Sequence, residues 1–145
     1  MIIDLHSHST RSDGRESVRT VFEEAKKAGV DVLALTDHDT TAGWAEAAEV
    51  ANELGIRFIP GIEVTTRAHV TGRDGKPRKF GVHMLAYLPD ANHPELKRVL
   101  EESVASRETR LREITERVAK DWQISWEEVE AQLSTGATKG RPALA

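Results

Sequence analysis

Three short apolar runs, residues 2–5, 32–35 and 57–60, are separated by two stretches of helical periodicity. In the first stretch Val18, Val21, Phe22, Ala25 and Ala28 recur on one face. Ser17 is placed to cap it and Gly29 to stop it. In the second, Trp44, Ala47, Ala48, Ala51 and Leu54 recur likewise, with Thr40 or Thr41 as the expected cap and Gly55 as the end. Strand, helix, strand, helix, strand with connections this short implies parallel strands and an α/β layout. The first strand is expected to be buried. The third is expected to continue through Ile62, Glu63 and Val64.

The pattern then changes. Asp74-Gly75 is a turn signal between residues 64–70 and 80–88, which predicts a hairpin. Residues 94–122 read as one long helix. Leu96, Val99, Leu100, Val104, Leu111, Ile114 and Val118 form its apolar stripe, and much of the rest is Arg, Lys and Glu. Ser125 and Glu128 form a capping box for a further short helix. Residues 136–145 have no periodicity.

The unusual polar residues fall just after the strands. His6 and His8 follow the first, and residues two apart in extended backbone point to one side, so both imidazoles can reach one metal ion. Asp13 lies in a Ser-Asp-Gly turn beyond them. Thr36-Asp37-His38-Asp39 follows the second strand, Glu63 stands near the end of the third, and His83 lies in the segment after the hairpin turn. In parallel α/β folds the carboxyl ends of strands are where sites are built. Asp37 and Asp39 read as groups that support ligands, and His69 and His93 as surface or loop residues.

Neutral imidazoles and carboxylates around divalent ions can make an open hydrolytic site. The chain has no cysteine, so any metal is held by His, Asp and Glu, a donor set that suits Mn, Fe or Zn without choosing between them. There is no serine or cysteine nucleophile pattern and no Gly-rich phosphate loop. A net charge of -4 over 145 residues gives no long-range attraction for nucleic acid or an anionic membrane. It leaves room for a small phosphorylated substrate held by a few local arginines. No stretch is long and apolar enough to span a membrane, and the start lacks the features of a signal peptide, so the cytoplasm is the expected compartment.

The motifs "DLHSHSTRSDG", "LALTDHDT", "PGIEVTT" and "VHMLAY" resemble, in order and spacing, those of the PHP (polymerase and histidinol phosphatase) superfamily. The closest likeness is to its stand-alone phosphoesterases, some of which act on nucleoside bisphosphates or short oligonucleotides. The resemblance implies the N-terminal part of a distorted (β/α)7 barrel with a two- or three-metal cluster at the carboxyl ends of its strands. It puts His6, His8, Asp13, His38, Glu63 and His83 on ligand positions, with metal-activated water attacking phosphorus. Residues 1–92 would be the first half of the barrel, 93–135 a helical insertion and 136–145 a return segment. Arg141, in Gly140-Arg141-Pro142, would clamp phosphate, because guanidinium pairs bidentately with its oxygens. Arg11 is a second candidate for that role. Two departures stand out. Ala143 occupies a place where the family often has His, and the later ligand motifs do not occur before Ala145. The rest of the barrel is therefore expected from a missing C-terminal half or a partner chain. The alternatives are a metal-stabilised domain without catalysis, as in some polymerases, and an amide hydrolase on a related barrel. A polymerase exonuclease domain is not expected, because nothing in the chain reads as polymerase sequence.

Overall fold

A computed structural model describes residues 1–132. The return segment with Arg141 and Ala143 lies outside the described residues. The elements are β1 (Ile3–Asp4), α1 (Val18–Lys27), β2 (Val32–Leu35), α2 (Trp44–Leu54), β3 (Arg57–Thr71), β4 (Pro77–Tyr87), α3 (Pro94–Val118) and α4 (Trp126–Gln132). They build one mixed sheet of order β1-β2-β3-β4. β1, β2 and the start of β3 run parallel, ending where Leu35 faces Pro60. The antiparallel β3–β4 hairpin begins at the next residue, with Gly61 facing Tyr87, and closes with Thr71 facing Pro77. Gly75, in its turn, has φ +72°.

The helices form where the apolar spacing calls for them. Ser17 caps α1, its hydroxyl accepting from the Thr20 N–H at 3.1 Å. Gly29 ends the turn after α1 with φ +79°, and Gly55 ends α2 with φ +66°. Val18, Phe22, Ala47, Val50 and Ala51 from the helices pack with Leu33 and Leu35 of β2 as the core. All four residues of β2 are buried. Phe22 is fully enclosed and meets Phe58 edge to face at 5.8 Å between ring centres.

Four details differ from the sequence reading. The cap of α2 is Gly43, not Thr40 or Thr41. A Cβ at Gly43 would stand 2.9 Å from Leu35 Cδ2, so the cap position is pressed onto the sheet where a threonine does not fit. The Thr40 hydroxyl instead accepts the Ala42 N–H. β1 is exposed rather than buried, with Ile2 53% and Ile3 51% accessible, because β2 is its one sheet neighbour among the described residues. β3 does not end near Glu63 but runs to Thr71, since β4 supplies it with backbone partners over that whole length. α3 stops at Val118, where the N–H groups of Asp121 and Trp122 both donate to the Val118 carbonyl and close a turn.

The expected capping box is present: the Ser125 N–H donates to Glu128 Oε2 at 2.8 Å, and the Glu128 N–H donates to Ser125 Oγ at 3.2 Å. α3 and α4 pack together with Leu111, Thr115 and Val129 buried. Replacing Phe22 by Ala removes the largest side chain of the main core. It should lower the unfolding free energy by about 3–5 kcal/mol, read as a lower urea midpoint at unchanged slope.

Candidate metal centre

The segment after β1 continues its alternation. The Ser7 hydroxyl donates to the Ala34 carbonyl at 2.7 Å, and the Thr36 N–H donates to the Ser7 carbonyl at 2.9 Å. Ser7 therefore faces β2, while His6 and His8, one residue to either side, face the other way. Ser9 faces inward again and is fully buried. The loop then doubles back tightly. The N–H groups of Ser12 and Gly14 both donate to the Ser9 carbonyl at 3.0 Å. A Cβ on Gly14 would sit 2.5 Å from the His8 carbonyl oxygen, so only glycine allows the loop to return and bring Asp13 beside His8.

Asp37 holds that loop. Its carboxylate, 2% exposed, accepts the Ser9 N–H at 2.7 Å, the Ser9 hydroxyl at 2.7 Å and the Ser12 hydroxyl at 2.6 Å. The next residue, His38, forms a parallel bridge with Glu63. Asp39 has φ +53°, a left-handed conformation that aspartate tolerates better than most side chains. Its N–H donates to the Glu63 carbonyl at 3.1 Å. The route of the chain through residues 37–39 thus locks His38 against Glu63.

Glu63 lies at the centre of the imidazoles. Its Oε2 is 2.6 Å from His6 Nε2 and 3.0 Å from His8 Nε2. Its Oε1 is 2.6 Å from His83 Nδ1 and 3.9 Å from His38 Nδ1. Asp13 spans the far side, 3.4 Å from His8 Nδ1 and 3.5 Å from His38 Nε2. The rings succeed one another at 5.0, 4.8 and 4.9 Å, from His6 to His8 to His38 to His83.

Three sets of potential donor atoms each lie within 4.8 Å of one another: His6, His8 and Glu63; His8, Asp13 and His38; His38, Glu63 and His83. Four imidazoles and two carboxylates packed this closely fit divalent ions, which replace the protons that would otherwise have to be shared. Burial pushes the Glu63 carboxyl up, but the hydrogen-bonded imidazoles of His6 and His83, with His38 and His8 nearby, hold it below the ordinary carboxylate value. Burial lowers the pKa of His38, outweighing the opposite pull of Asp13 and Glu63. Both shifts favour the metal-ligating forms, an ionised carboxylate and a neutral imidazole.

All six residues expected from the sequence come together here. Arg11 pairs with Glu46 of α2 at 3.0 Å, so contact with a phosphate requires it to leave that partner. His69 lies on the exposed outer part of β3, and His93 immediately precedes α3.

Sequence reasoning missed Arg107. It reaches from α3 to the fully buried Asp39 carboxylate, with Nε at 2.9 Å and Nη2 at 2.7 Å, and Nη2 also donates to the Thr65 hydroxyl. Asp39 Oδ1 accepts the Thr65 N–H at 2.8 Å. A signal was present: Arg107 fills the gap between Val104 and Leu111 in the apolar stripe, an odd place for a solvated charge.

The PHP domain model matches residues 4–138. This chain belongs to the PHP domain family. It is similar to a 5'-3' exoribonuclease of Haemophilus influenzae, 41% identical over 117 residues, which cover 81% of this chain and 39% of the relative. It is also similar to a phosphoribosyl 1,2-cyclic phosphate 1,2-diphosphodiesterase of Eggerthella lenta, 42% identical over 66% of this chain and 34% of the relative. A proposed metal-dependent phosphoesterase of Bifidobacterium adolescentis has a solved structure that superposes with a TM-score of 0.83 at 36% identity. The match covers 97% of this chain and 47% of that one. The PHP chain described here thus spans less than half the length of these proteins, and its curled sheet corresponds to part of a PHP barrel. Against the sequence expectation, polymerase sequence does resemble it: an error-prone DNA polymerase of Mycobacterium tuberculosis is 38% identical over 71% of this chain and 9% of the polymerase.

Two predictions concern the metal-free protein. Removing the Asp37 carboxylate strands a buried Ser9 N–H, so Asp37→Ala should cost about 1–3 kcal/mol in urea unfolding. The lowered pKa of His38 means that the unfolded chain takes up its proton first as the pH falls. The His38 contribution to stability is complete above its ordinary value of 6.5 and declines below it, whereas that of Glu63 declines only below 4.5. With chelator present, the melting temperature should fall as the pH drops below about 6.5, and fall less in His38→Asn.

Proposed function

We propose that this chain carries the metal-binding part of a PHP phosphoesterase that hydrolyses a phosphate ester of a nucleotide, nucleoside bisphosphate or short oligonucleotide. The observation that carries the reading is the Glu63 carboxylate, shared by His6, His8, His38 and His83, with Asp13 closing the ring. These six residues would hold two or three divalent ions, of Mn, Fe or Zn. Bound ions of this kind lower the pKa of water and neutralise charge on a phosphoryl group.

The residues of the chain supply the rest. His6 and His8 project from one extended segment, so one backbone placement sets both donors. Asp37 keeps that segment closed over Asp13. Asp39 and Arg107 keep His38 and Glu63 in register. Arg141 remains the proposed phosphate clamp, resting on its Gly-Arg-Pro motif. Arg11 remains the second candidate. The exposed β1, with no neighbour beyond it among the described residues, is where further barrel strands would add, from a C-terminal half or a partner chain.

The match to part of a polymerase supports a second reading, a domain that binds metal for stability alone. No described helix is long and apolar enough to cross a membrane, in keeping with the proposed cytoplasmic location.

Glu63→Gln in the full-length protein should cut metal-dependent phosphate release by at least about 100-fold and reduce the metal content measured by elemental analysis. Unchanged release would defeat the catalytic reading. Under the second reading, metal raises the melting temperature and no phosphoester turns over.

A further inference from the structure

A cleft of about 740 Å³ opens between the β3–β4 hairpin and α3, with Asp13, His38 and His83 of the metal centre on its wall. The hairpin face that carries Glu63 and His83 continues outward from the centre. Alternation puts residues 63, 65, 67 and 69 of β3 on that face, together with 79, 81 and 83 of β4. The register pairs them in rows: Thr65 with His83, Arg67 with Gly81, His69 with Lys79. With a rise of about 3.3 Å per residue, the Arg67 row lies about 7 Å beyond the His83 row and Lys79 about 13 Å beyond it.

Arg67 and Lys79 line the cleft, and Arg110 lines it from the opposite wall, one helical turn past Arg107. All three are exposed, and among the described residues none has an acidic partner. The other charges of the cleft are engaged: Arg107 on Asp39, Glu102 on Arg98 at 2.6 Å, Asp13 on the histidines. In a chain of net charge -4, three uncompensated cations in one cleft are a local excess.

We infer that Arg67, Lys79 and Arg110 form a subsite for a second phosphate of the substrate, beyond the one held at the metal centre. The inference rests on the phosphoesterase reading for that first phosphate. A single phosphate at the metal centre lies one to two rows short of these cations. A substrate with another phosphate further along, as in a nucleoside bisphosphate or an oligonucleotide, reaches them. Gly81 serves the same end: nothing lies within 4 Å of where its Cβ would be, so the space beside Arg67 stays open.

The test is equilibrium binding by calorimetry to the manganese-loaded full-length protein, with the non-hydrolysable methylenephosphonate analogues of adenosine 3′,5′-bisphosphate and adenosine 5′-monophosphate as probes. Three such cations together predict a preference for the bisphosphate of about tenfold. The triple variant Arg67→Gln, Lys79→Gln, Arg110→Gln should bring the ratio close to one, and Lys79→Arg should keep it. Should the triple variant melt early, Gly81→Leu provides an independent check. It fits the fold, fills the space beside Arg67 and should reduce the ratio. Equal affinity of the wild type for both probes, or an unchanged ratio in a folded triple variant, overturns the subsite. Binding requires no turnover, so the two readings fail separately. A protein that shows the preference yet releases no phosphate refutes the phosphoesterase, and one that hydrolyses monoesters without the preference refutes the subsite.

Discussion

One buried carboxylate, Glu63, organises the metal centre and the strands around it. Glu63 stands two residues past the point where β3 stops pairing with β2 and pairs with β4 instead. That position gives it neighbours from both kinds of sheet. The parallel side brings His6, His8 and His38 from the ends of successive strands, and the antiparallel side brings His83. A carboxylate 6% exposed would ordinarily resist ionisation, and surrounding imidazoles are what keep it charged. The converse holds as well: four imidazoles within about 5 Å of their neighbours repel one another if protonated, and the carboxylate or a metal ion offsets that.

Two aspartates flank His38 and do different work. Asp37 faces back toward β1 and gathers the Ser9–Ser12 loop, which fixes His8 and Asp13. Asp39 faces forward to Thr65 and Arg107, which fixes the start of the hairpin face and the position of α3. One tetrapeptide, Thr36-Asp37-His38-Asp39, therefore couples the first loop, the hairpin and the long helix to one candidate ligand, His38. Asp39 is fully buried and Arg107 is its cationic partner, so removal of Arg107 leaves an uncompensated buried charge. Through this pair, the wall of the cleft opposite the hairpin is set by the residues that hold the metal centre.

The strand and helix order was legible in the sequence because apolar periodicity is a local property, and the core residues Val18, Phe22, Leu33, Ala47 and Ala51 lie where that periodicity puts them, whereas α2 buries Val50 and exposes Ala48, which the spacing had placed on the inner face. The six candidate ligands were legible because imidazoles and carboxylates cluster around the ends of apolar runs and because the resemblance to the PHP motifs implied the full set, Asp13 and His83 included. The cap of α2 was not, because Thr40 and Thr41 are good local candidates and the steric contact of Gly43 with Leu35 is made across the fold. The exposure of β1 was not, because an apolar tetrapeptide reads the same whether or not a further strand covers it.

The sequence by itself determined which residues can hold metal and which strand ends present them, since period-two alternation and donor chemistry act within a few residues. Only the tertiary structure decided that Glu63 faces four imidazoles and Asp13 two, that Arg107 is the partner of the buried Asp39, and that Arg67, Lys79 and Arg110 face one cleft. Those outcomes depend on register between β3 and β4 and on where α3 comes to rest. Contacts between residues 68 apart, such as Arg107 with Asp39, are chosen by the packing of whole elements, which no local pattern encodes.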